Sequence, residues 1–231
     1  MGSLRSPTPL TDSLSLVHSF AGRHEGIHQA QRAIYRTSSS LLGIPPLPCS
    51  HPLRPQVNIA LIEGSTPILG VVQVPATGKV YYAAKGQGAF MKNTPDGPAE
   101  RISVKTFSTA DEGLTLVGSA SHNSAATTEF VSQFTSPQFK QLGSSLKLLM
   151  VAEGLAHCYP RLAPTCEWDT CAAHAIVLEA GGEVIQAGLC DNKGVALEDW
   201  KEMVAKELPV VYNKENVLNP YFVVYGKRTS S

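Results

Sequence analysis

The sequence predicts an α/β protein, in which an antiparallel sheet is followed by a half where strands and helices alternate. Between residues 57 and 106, apolar segments of strand length are separated by short turns that contain Gly or Pro. From residue 107 onwards, similar segments alternate with stretches whose apolar residues recur at helical spacing. Hydrophobic residues make up 43% of the 231-residue chain and charged residues 16%, which is typical of globular proteins. We therefore divide the chain into residues 1–56, a sheet subdomain at 57–106 and an α/β subdomain at 107–231.

The predicted sheet of the first half begins with three strands in sequence. They are Val57–Glu63, 67–74 and Lys79–Ala84, joined by turns at Gly64-Ser65-Thr66 and at 75–78. Segments 86–90 and 101–104 can extend this meander. Because the turns are short, neighbouring strands are expected to pair antiparallel.

The second half is expected to contain four strands, at 114–118, 139–142, 156–160 and 183–187. Helical spacing predicts helices at 125–134, at 146–154 and from residue 169 to Gly181-Gly182, which supply a helix stop. A further amphipathic helix is predicted near 197–208, as a surface elaboration.

Residues 1–56 differ in composition from the rest of the chain. They contain Arg but no Lys, many Ser, few acids, and a Pro-rich end at 44–55. Three interpretations stay open at this point: an organelle transit peptide, a disordered leader, or sequence from an alternative first exon.

Charge and cysteine content limit the possible partners and compartments. The 19 basic residues balance 19 acidic ones, so no global field favours nucleic acid or a membrane surface. There is no apolar run of about 18 residues that would predict a membrane-spanning helix. The five cysteines form no Cys-x-x-Cys pair, which argues against a zinc site or a disulfide framework. We expect an intracellular protein, cytoplasmic by default, with a plastid or mitochondrion as alternatives.

Asp169 is the strongest candidate functional residue. It precedes a helical apolar pattern and is predicted to be the N-cap, beside unpaired amides and the positive end of the helix dipole. Such a carboxylate can hold a metal ion next to a phosphate, but the residue taken alone favours the alternative of an ordinary capped helix, because Asp is a common N-cap.

Other polar residues follow predicted strands, at the edge where α/β sheets bind ligands. Gly143-Ser144-Ser145 lies at a helix start with Lys147 one turn away, so hydroxyl groups and a cation can converge on an anion. His122 and Arg161 each end another strand. The alternatives are a capping serine, a solvated lysine, a structural histidine and a surface arginine.

Several motifs together resemble a known family. The segment 168–182, with Trp168-Asp169 and Glu179-Ala180-Gly181-Gly182, resembles the second signature of the inositol monophosphatase superfamily. Further motifs resemble its 3′(2′),5′-bisphosphate nucleotidase branch from Val57 to about Gly226. They are Val57-Asn58-Ile59-Ala60-Leu61-Ile62, Leu69-Gly70-Val71-Val72, the segment 82–89, Leu142-Gly143-Ser144-Ser145-Leu146-Lys147, Val151-Ala152-Glu153-Gly154, Tyr159-Pro160-Arg161 and Leu218-Asn219-Pro220.

The resemblance implies a layered α+β sandwich and a magnesium-dependent phosphatase. It implies that Asp169 is catalytic and binds Mg²⁺, and that four residues contact the substrate's phosphates: His122, Ser144, Lys147 and Arg161. The implied substrate is a small nucleotide bisphosphate, 3′-phosphoadenosine 5′-phosphate, hydrolysed to AMP and phosphate. The alternatives are an inositol phosphate phosphatase and a non-catalytic fragment that binds nucleotide or dimerises. A homodimer is an expected partner arrangement.

The sequence departs from the family before Val57. The first family signature, Asp-Pro-(Ile/Leu)-Asp-Gly-Thr, which supplies further metal ligands, is not found there. We therefore expect impaired catalysis and marginal stability. Without covering helices, one face of the first sheet would expose an apolar patch, formed by Ile59, Leu61, Leu69 and Val71. His174 also replaces a small residue in the Asp169 helix.

Overall fold

The computed structural model describes residues 56–119, 124–142, 145–191 and 195–229, together with the backbone of one strand at Gln31–Thr37. Two main sheets and the helices between and beside them form a layered α/β architecture. The predicted fold class is confirmed.

The first sheet is antiparallel, and its strands follow the order of the chain, β1-β2-β3-β4-β5-β6. The predicted meander is therefore present, with bounds that differ from the prediction by two residues or fewer. The strands are β1 (Gln31–Thr37), β2 (Val57–Glu63), β3 (Thr66–Val74), β4 (Lys79–Ala84), β5 (Gly88–Lys92) and β6 (Glu100–Ile102).

The second sheet is mixed, with five strands in the order β11-β12-β10-β8-β9. The strands β10, β8 and β9 run parallel, while β12 pairs antiparallel with both β10 and β11. Its members are β8 (Thr115–Ser119), β9 (Gln138–Leu142), β10 (Cys158–Arg161), β11 (Glu183–Gln186) and β12 (Phe222–Tyr225). A small parallel pair joins β7 (Thr106–Phe107) to β13 (Lys227–Arg228).

Two helices lie between the main sheets and join them into one core. Helix α3 packs on the first sheet, α2 packs on the second, and the two helices pack against each other. The described helices are α1 (Ala125–Val131), α2 (Leu146–Ala152), α3 (Glu167–Glu179) and α4 (Trp200–Ala205). None of them is long and apolar enough to cross a membrane.

The largest hydrophobic cluster contains buried residues from both predicted subdomains, including Val72, Tyr81, Leu149, Ile176 and Val224. Each of these side chains is 3% exposed or less. The two halves therefore share a core. The subdomain boundaries proposed from the sequence stay a prediction.

The prediction of an exposed apolar patch on the first sheet is wrong. Ile59, Leu69 and Val71 are 3%, 3% and 1% exposed, and Leu61 is half-buried. These side chains alternate with those that face α3, so they lie on the opposite face of the sheet. There they form a separate cluster with residues of neighbouring strands, namely Val57, Val80, Tyr82 and Ala84.

The outer face of the second sheet is covered by α1 and α4. Phe130 of α1 and Trp200 of α4 lie with ring centroids 5.4 Å apart, and Met203 is buried. The additional amphipathic helix predicted near 197–208 is thus present, but it packs on the core and is more than a surface elaboration.

Candidate phosphate-binding site

The carboxyl ends of β9 and β10 bring two of the predicted site residues, Lys147 and Arg161, to one edge of the second sheet. Because β10, β8 and β9 are parallel neighbours, their carboxyl ends lie on the same side. Arg161 is the last residue of β10, and Lys147 lies in α2 just after β9. His122 and Ser144 lie outside the described residues.

Lys147 is the second residue of α2 and is only 3% exposed. Its Nζ donates a hydrogen bond to the carbonyl of Leu142, at the end of β9, over 3.2 Å. The same ammonium lies 5.3 Å from the ring centroid of Tyr159. Burial, assisted by the positive charge of Arg161, lowers the pKa of Lys147 to about 8.

Arg161 is half-buried and points along the same edge. Its Nη2 donates to the carbonyl of Pro164 over 2.9 Å, whereas its Nε is buried and has no hydrogen-bond partner among the residues that the structure describes. Burial raises the pKa of the Tyr159 hydroxyl, and the positive charge of the nearby Arg161 guanidinium partly opposes that rise.

We call Lys147 and Arg161 the cation pair. Among the described residues, no carboxylate lies within ion-pair distance of either side chain. A buried charge without a counter-charge is unfavourable, since desolvation is not offset by pairing. The cation pair therefore favours an anionic ligand at this edge of the sheet.

The position of Asp169 differs from the prediction. Helix α3 begins at Glu167 because Cys166, with φ −105° and ψ 161°, is the extended N-cap residue. Asp169 is thus the third helical residue, and its Oδ2 accepts a hydrogen bond from the Cys166 N–H over 3.1 Å. The carboxylate is still held at the helix N-terminus, but in a capping-box arrangement.

A segment that the sequence did not single out holds the start of α3 in place. Glu167 is 1% exposed, and its carboxylate accepts hydrogen bonds from the backbone N–H of Asn213 (3.0 Å) and of Lys214 (3.1 Å). The Lys214 ammonium lies 2.6 Å from the same carboxylate. Because the partners are about 47 positions apart in the chain, no local sequence pattern could predict this contact.

A buried polar network supports the same helix start from behind. Asn219, 1% exposed, donates from Nδ2 to the hydroxyls of Thr165 (3.1 Å) and Thr170 (3.0 Å). The Tyr212 hydroxyl donates to Thr170 over 3.1 Å and lies 2.9 Å from Nδ1 of His174. Complete burial lowers the pKa of His174 to about 3, so this ring is neutral. The helix that carries Asp169 is therefore rigidly placed.

Ser145, next to the predicted Ser144, faces inwards. Its hydroxyl donates to Oε1 of Gln56 and lies 3.3 Å from Oδ1 of Asn58, and all three residues are buried. This contact ties the beginning of β2 to the beginning of α2. Ser145 therefore serves to join the two layers beside the candidate site.

The described residues do not by themselves complete a magnesium site. Mg²⁺ requires octahedral oxygen coordination, commonly from one or two carboxylates, water and substrate phosphates. Among the described residues, no group of three or more His, Cys, Asp or Glu side chains is placed to hold a metal ion. Asp169 is the carboxylate among the predicted site residues, and its role as a metal ligand stays a prediction.

A cavity of about 500 Å³ lies elsewhere, between α1 and α4 on the outer face of the second sheet. Its charged walls include the ion pair of Glu129 and Lys201, which are 2.5 Å apart and about half exposed. Because these charges are already paired and solvated, the cavity offers no comparable preference for an anion.

The fold is a layered α/β architecture with a cation pair at one sheet edge, and comparison with known proteins identifies its family. A sequence model of the inositol monophosphatase family matches residues 56–219, well over half of the chain. This chain belongs to the inositol monophosphatase family.

One relative at the sequence level is the 3′(2′),5′-bisphosphate nucleotidase CysQ of Salmonella typhimurium. It is 39% identical over 168 residues, which cover 73% of this chain and 58% of the relative. The Escherichia coli K12 protein of the same name is 38% identical over the same length. The chain thus spans a little over half the length of the curated relatives it matches.

Solved structures agree with this family. CysQ from Bacteroides thetaiotaomicron, a bacterial member of the inositol monophosphatase family, has a TM-score of 0.62 and 35% identity. That match covers 76% of this chain and 64% of the other. Inositol monophosphatase II from Staphylococcus aureus has a TM-score of 0.60 at 13% identity, covering 90% and 67%, and so shows the fold alone.

Proposed function

We propose that this chain recognises a 3′(2′),5′-bisphosphate nucleotide and hydrolyses one of its phosphate monoesters. The favoured substrate is 3′-phosphoadenosine 5′-phosphate, with AMP and phosphate as products. The observation that carries the proposal is the cation pair, because a buried ammonium and a guanidinium that have no carboxylate partner among the described residues favour an anion. The likeness to the bisphosphate nucleotidases supports the choice of substrate.

Each residue of the cation pair has a distinct part in the proposal. The Arg161 guanidinium offers a planar set of N–H donors that can bind two phosphate oxygens at once. Lys147 has three donors, of which one is used by the Leu142 carbonyl, and the other two have no partner among the described residues and can bind the substrate. Both charges offset the negative charge that builds up on the phosphate during hydrolysis.

Asp169 is the proposed metal ligand and catalytic residue, and Mg²⁺ is the proposed cofactor. When bound, Mg²⁺ would activate a water molecule and stabilise the negative charge on the phosphate oxygens. We propose that hydrolysis by this chain is slow, because the described residues supply Asp169 without further carboxylates at the site. His122 and Ser144 are proposed as additional phosphate contacts.

The test is phosphate release from 3′-phosphoadenosine 5′-phosphate by the 231-residue chain across a Mg²⁺ titration. We expect slow, Mg²⁺-dependent release that Asp169→Asn abolishes. Asp199→Asn is a matched control, because Asp199 also caps a helix, accepting from the Lys201 N–H over 2.8 Å, but belongs to α4. It should leave the rate unchanged.

Comparison substrates distinguish the alternatives. Inositol 1-phosphate tests the inositol phosphatase hypothesis, and AMP tests whether the second phosphate is needed. Faster release from inositol 1-phosphate would contradict the proposed substrate. Binding of the bisphosphate without any release would instead favour a non-catalytic nucleotide-binding chain.

A further inference from the structure

Tyr159 lies between the two members of the cation pair. Side chains alternate along a strand, so Tyr159 and Arg161 project from the same face of β10. Helix α2, which carries Lys147, packs against β10. The geometry therefore places one aromatic side chain against both cations.

The contacts of Tyr159 hold it firmly in this position. It is 3% exposed, and its ring makes an edge-to-face contact with Phe222, with centroids 6.0 Å apart at an angle of 88°. The Lys147 ammonium lies over the ring, 5.3 Å from its centroid. Arg161, two residues further along the same face of β10, brings its positive charge near the hydroxyl at the other end of the Tyr159 side chain.

Such an arrangement reduces the repulsion between two neighbouring cations. The face of an aromatic ring is electron-rich and attracts an ammonium group, while a phenol oxygen accepts hydrogen bonds from a guanidinium. Burial raises the pKa of the Tyr159 hydroxyl, and nearby Arg161 only partly opposes the rise, so the phenol keeps its proton. Tyr159 can therefore orient both cations without adding a charge that would repel an anion.

We propose that Tyr159 is a positioning residue, which holds Lys147 and Arg161 in the arrangement that binds the oxygens of a phosphate monoester. This inference rests on the proposed function of the site. In this proposal the Tyr159 hydroxyl orients Arg161, and the Tyr159 ring orients Lys147.

The experiment measures binding of 3′-phosphoadenosine 5′-phosphate by calorimetry, with EDTA present so that no metal contributes. Tyr159→Phe keeps the ring and its contact with Phe222 but removes the oxygen that faces Arg161. We expect affinity to fall about tenfold, the usual effect of losing a hydrogen bond to a charged group.

Tyr81→Phe is the matched control for this variant. Tyr81 is also 3% exposed, and its hydroxyl donates to Oε1 of Glu153 over 2.8 Å, at a different place in the core. Both variants lose one buried hydroxyl contact, so both should lower the melting temperature. Only Tyr159→Phe should weaken binding, whereas Tyr81→Phe should stay within about twofold of the unsubstituted chain.

A double-mutant cycle shows whether Tyr159 acts through Arg161. In an Arg161→Met background, Tyr159→Phe should cause no further loss of affinity, because the group it positions is gone. An equal tenfold loss in that background would overturn the inference, and so would unchanged binding by Tyr159→Phe in a chain that binds the nucleotide. Absence of binding by the unsubstituted chain would instead overturn the proposed function, and this inference with it.

Discussion

At Gly70 the first sheet lies close against the backbone of helix α3. A Cβ atom added at Gly70 would lie 2.0 Å from the carbonyl oxygen of Ala172 and 2.9 Å from its carbonyl carbon. Contacts of a Cβ atom below 3.0 Å are essentially never observed, so Gly70→Ala requires β3 and α3 to separate by about 1 Å. The Ala172 atoms in this contact belong to the backbone of α3, so no side-chain rotation can relieve the clash.

The cost of this separation follows from the packing of α3. A radial gap of 0.5–1 Å loses roughly a quarter to a half of each dispersion contact across it. We therefore expect Gly70→Ala to lower the free energy of unfolding by about 3 kcal/mol, at the upper end of overpacking effects. For a chain of this length that corresponds to a fall in melting temperature of about 6–12 °C. Because α3 carries Asp169, catalytic turnover should fall about 100-fold.

Chemical denaturation of three glycine variants tests the reasoning. Gly64 has φ +59° and no atom within 4 Å of an added Cβ. Gly64→Ala should therefore lower the free energy of unfolding by only about 1 kcal/mol, because the cost comes from the left-handed backbone conformation alone. Gly118→Ala should be intermediate, since the obstacle is the ring tip of Phe139, which can turn away. A loss for Gly70→Ala no larger than that for Gly64→Ala would refute the argument.

Three further predictions concern the support of α3. The pKa of His174 is about 3 in the folded protein, below the value of about 6.5 in the unfolded chain. The stabilisation from the neutral ring should therefore be complete above pH 6.5. As the pH falls from 6.5 towards 3, the free energy of unfolding should decrease by up to ~1.4 kcal/mol per pH unit. Urea unfolding at several pH values should show this slope disappear in His174→Gln. Lys214→Met should cost about 2–3 kcal/mol, because the Glu167 carboxylate, 2% exposed, loses its counter-charge. Glu179→Gln is the comparison variant, because the half-buried Glu179 accepts from two glycine N–H groups at the other end of α3. It should lower the free energy of unfolding by about 1 kcal/mol. Equal losses for Lys214→Met and Glu179→Gln would contradict the argument.

Several predictions from the sequence are not tested by the structure or the comparisons. They are the roles of His122 and Ser144, the binding of Mg²⁺, the homodimer, the subdomain boundaries and the nature of residues 1–56. The experiments above address Mg²⁺ directly through Asp169→Asn. The exclusions of nucleic acid and membrane partners stay predictions for the same reason.

The sequence by itself determined the elements whose signals are local. Strands β2, β3 and β4 were predicted within one residue because apolar segments and Gly or Pro turns are both short-range features. Lys147 and Arg161 were singled out because each follows a strand that the pattern also predicts, and their roles stay predictions. Strand β12, at Phe222–Tyr225, was missed, since a short apolar run carries no periodicity that distinguishes it from other buried segments.

Only the tertiary structure decided how these residues act together. Asp169 is the third residue of its helix and not the N-cap, because Cys166 is the extended N-cap residue and α3 begins at Glu167. Tyr159 lies against Lys147 because helix α2, which carries Lys147, packs on strand β10, which carries Tyr159 and Arg161. Glu167 finds Lys214 far along the chain. Such contacts depend on packing between distant segments, whereas sequence patterns report only the preferences of neighbours.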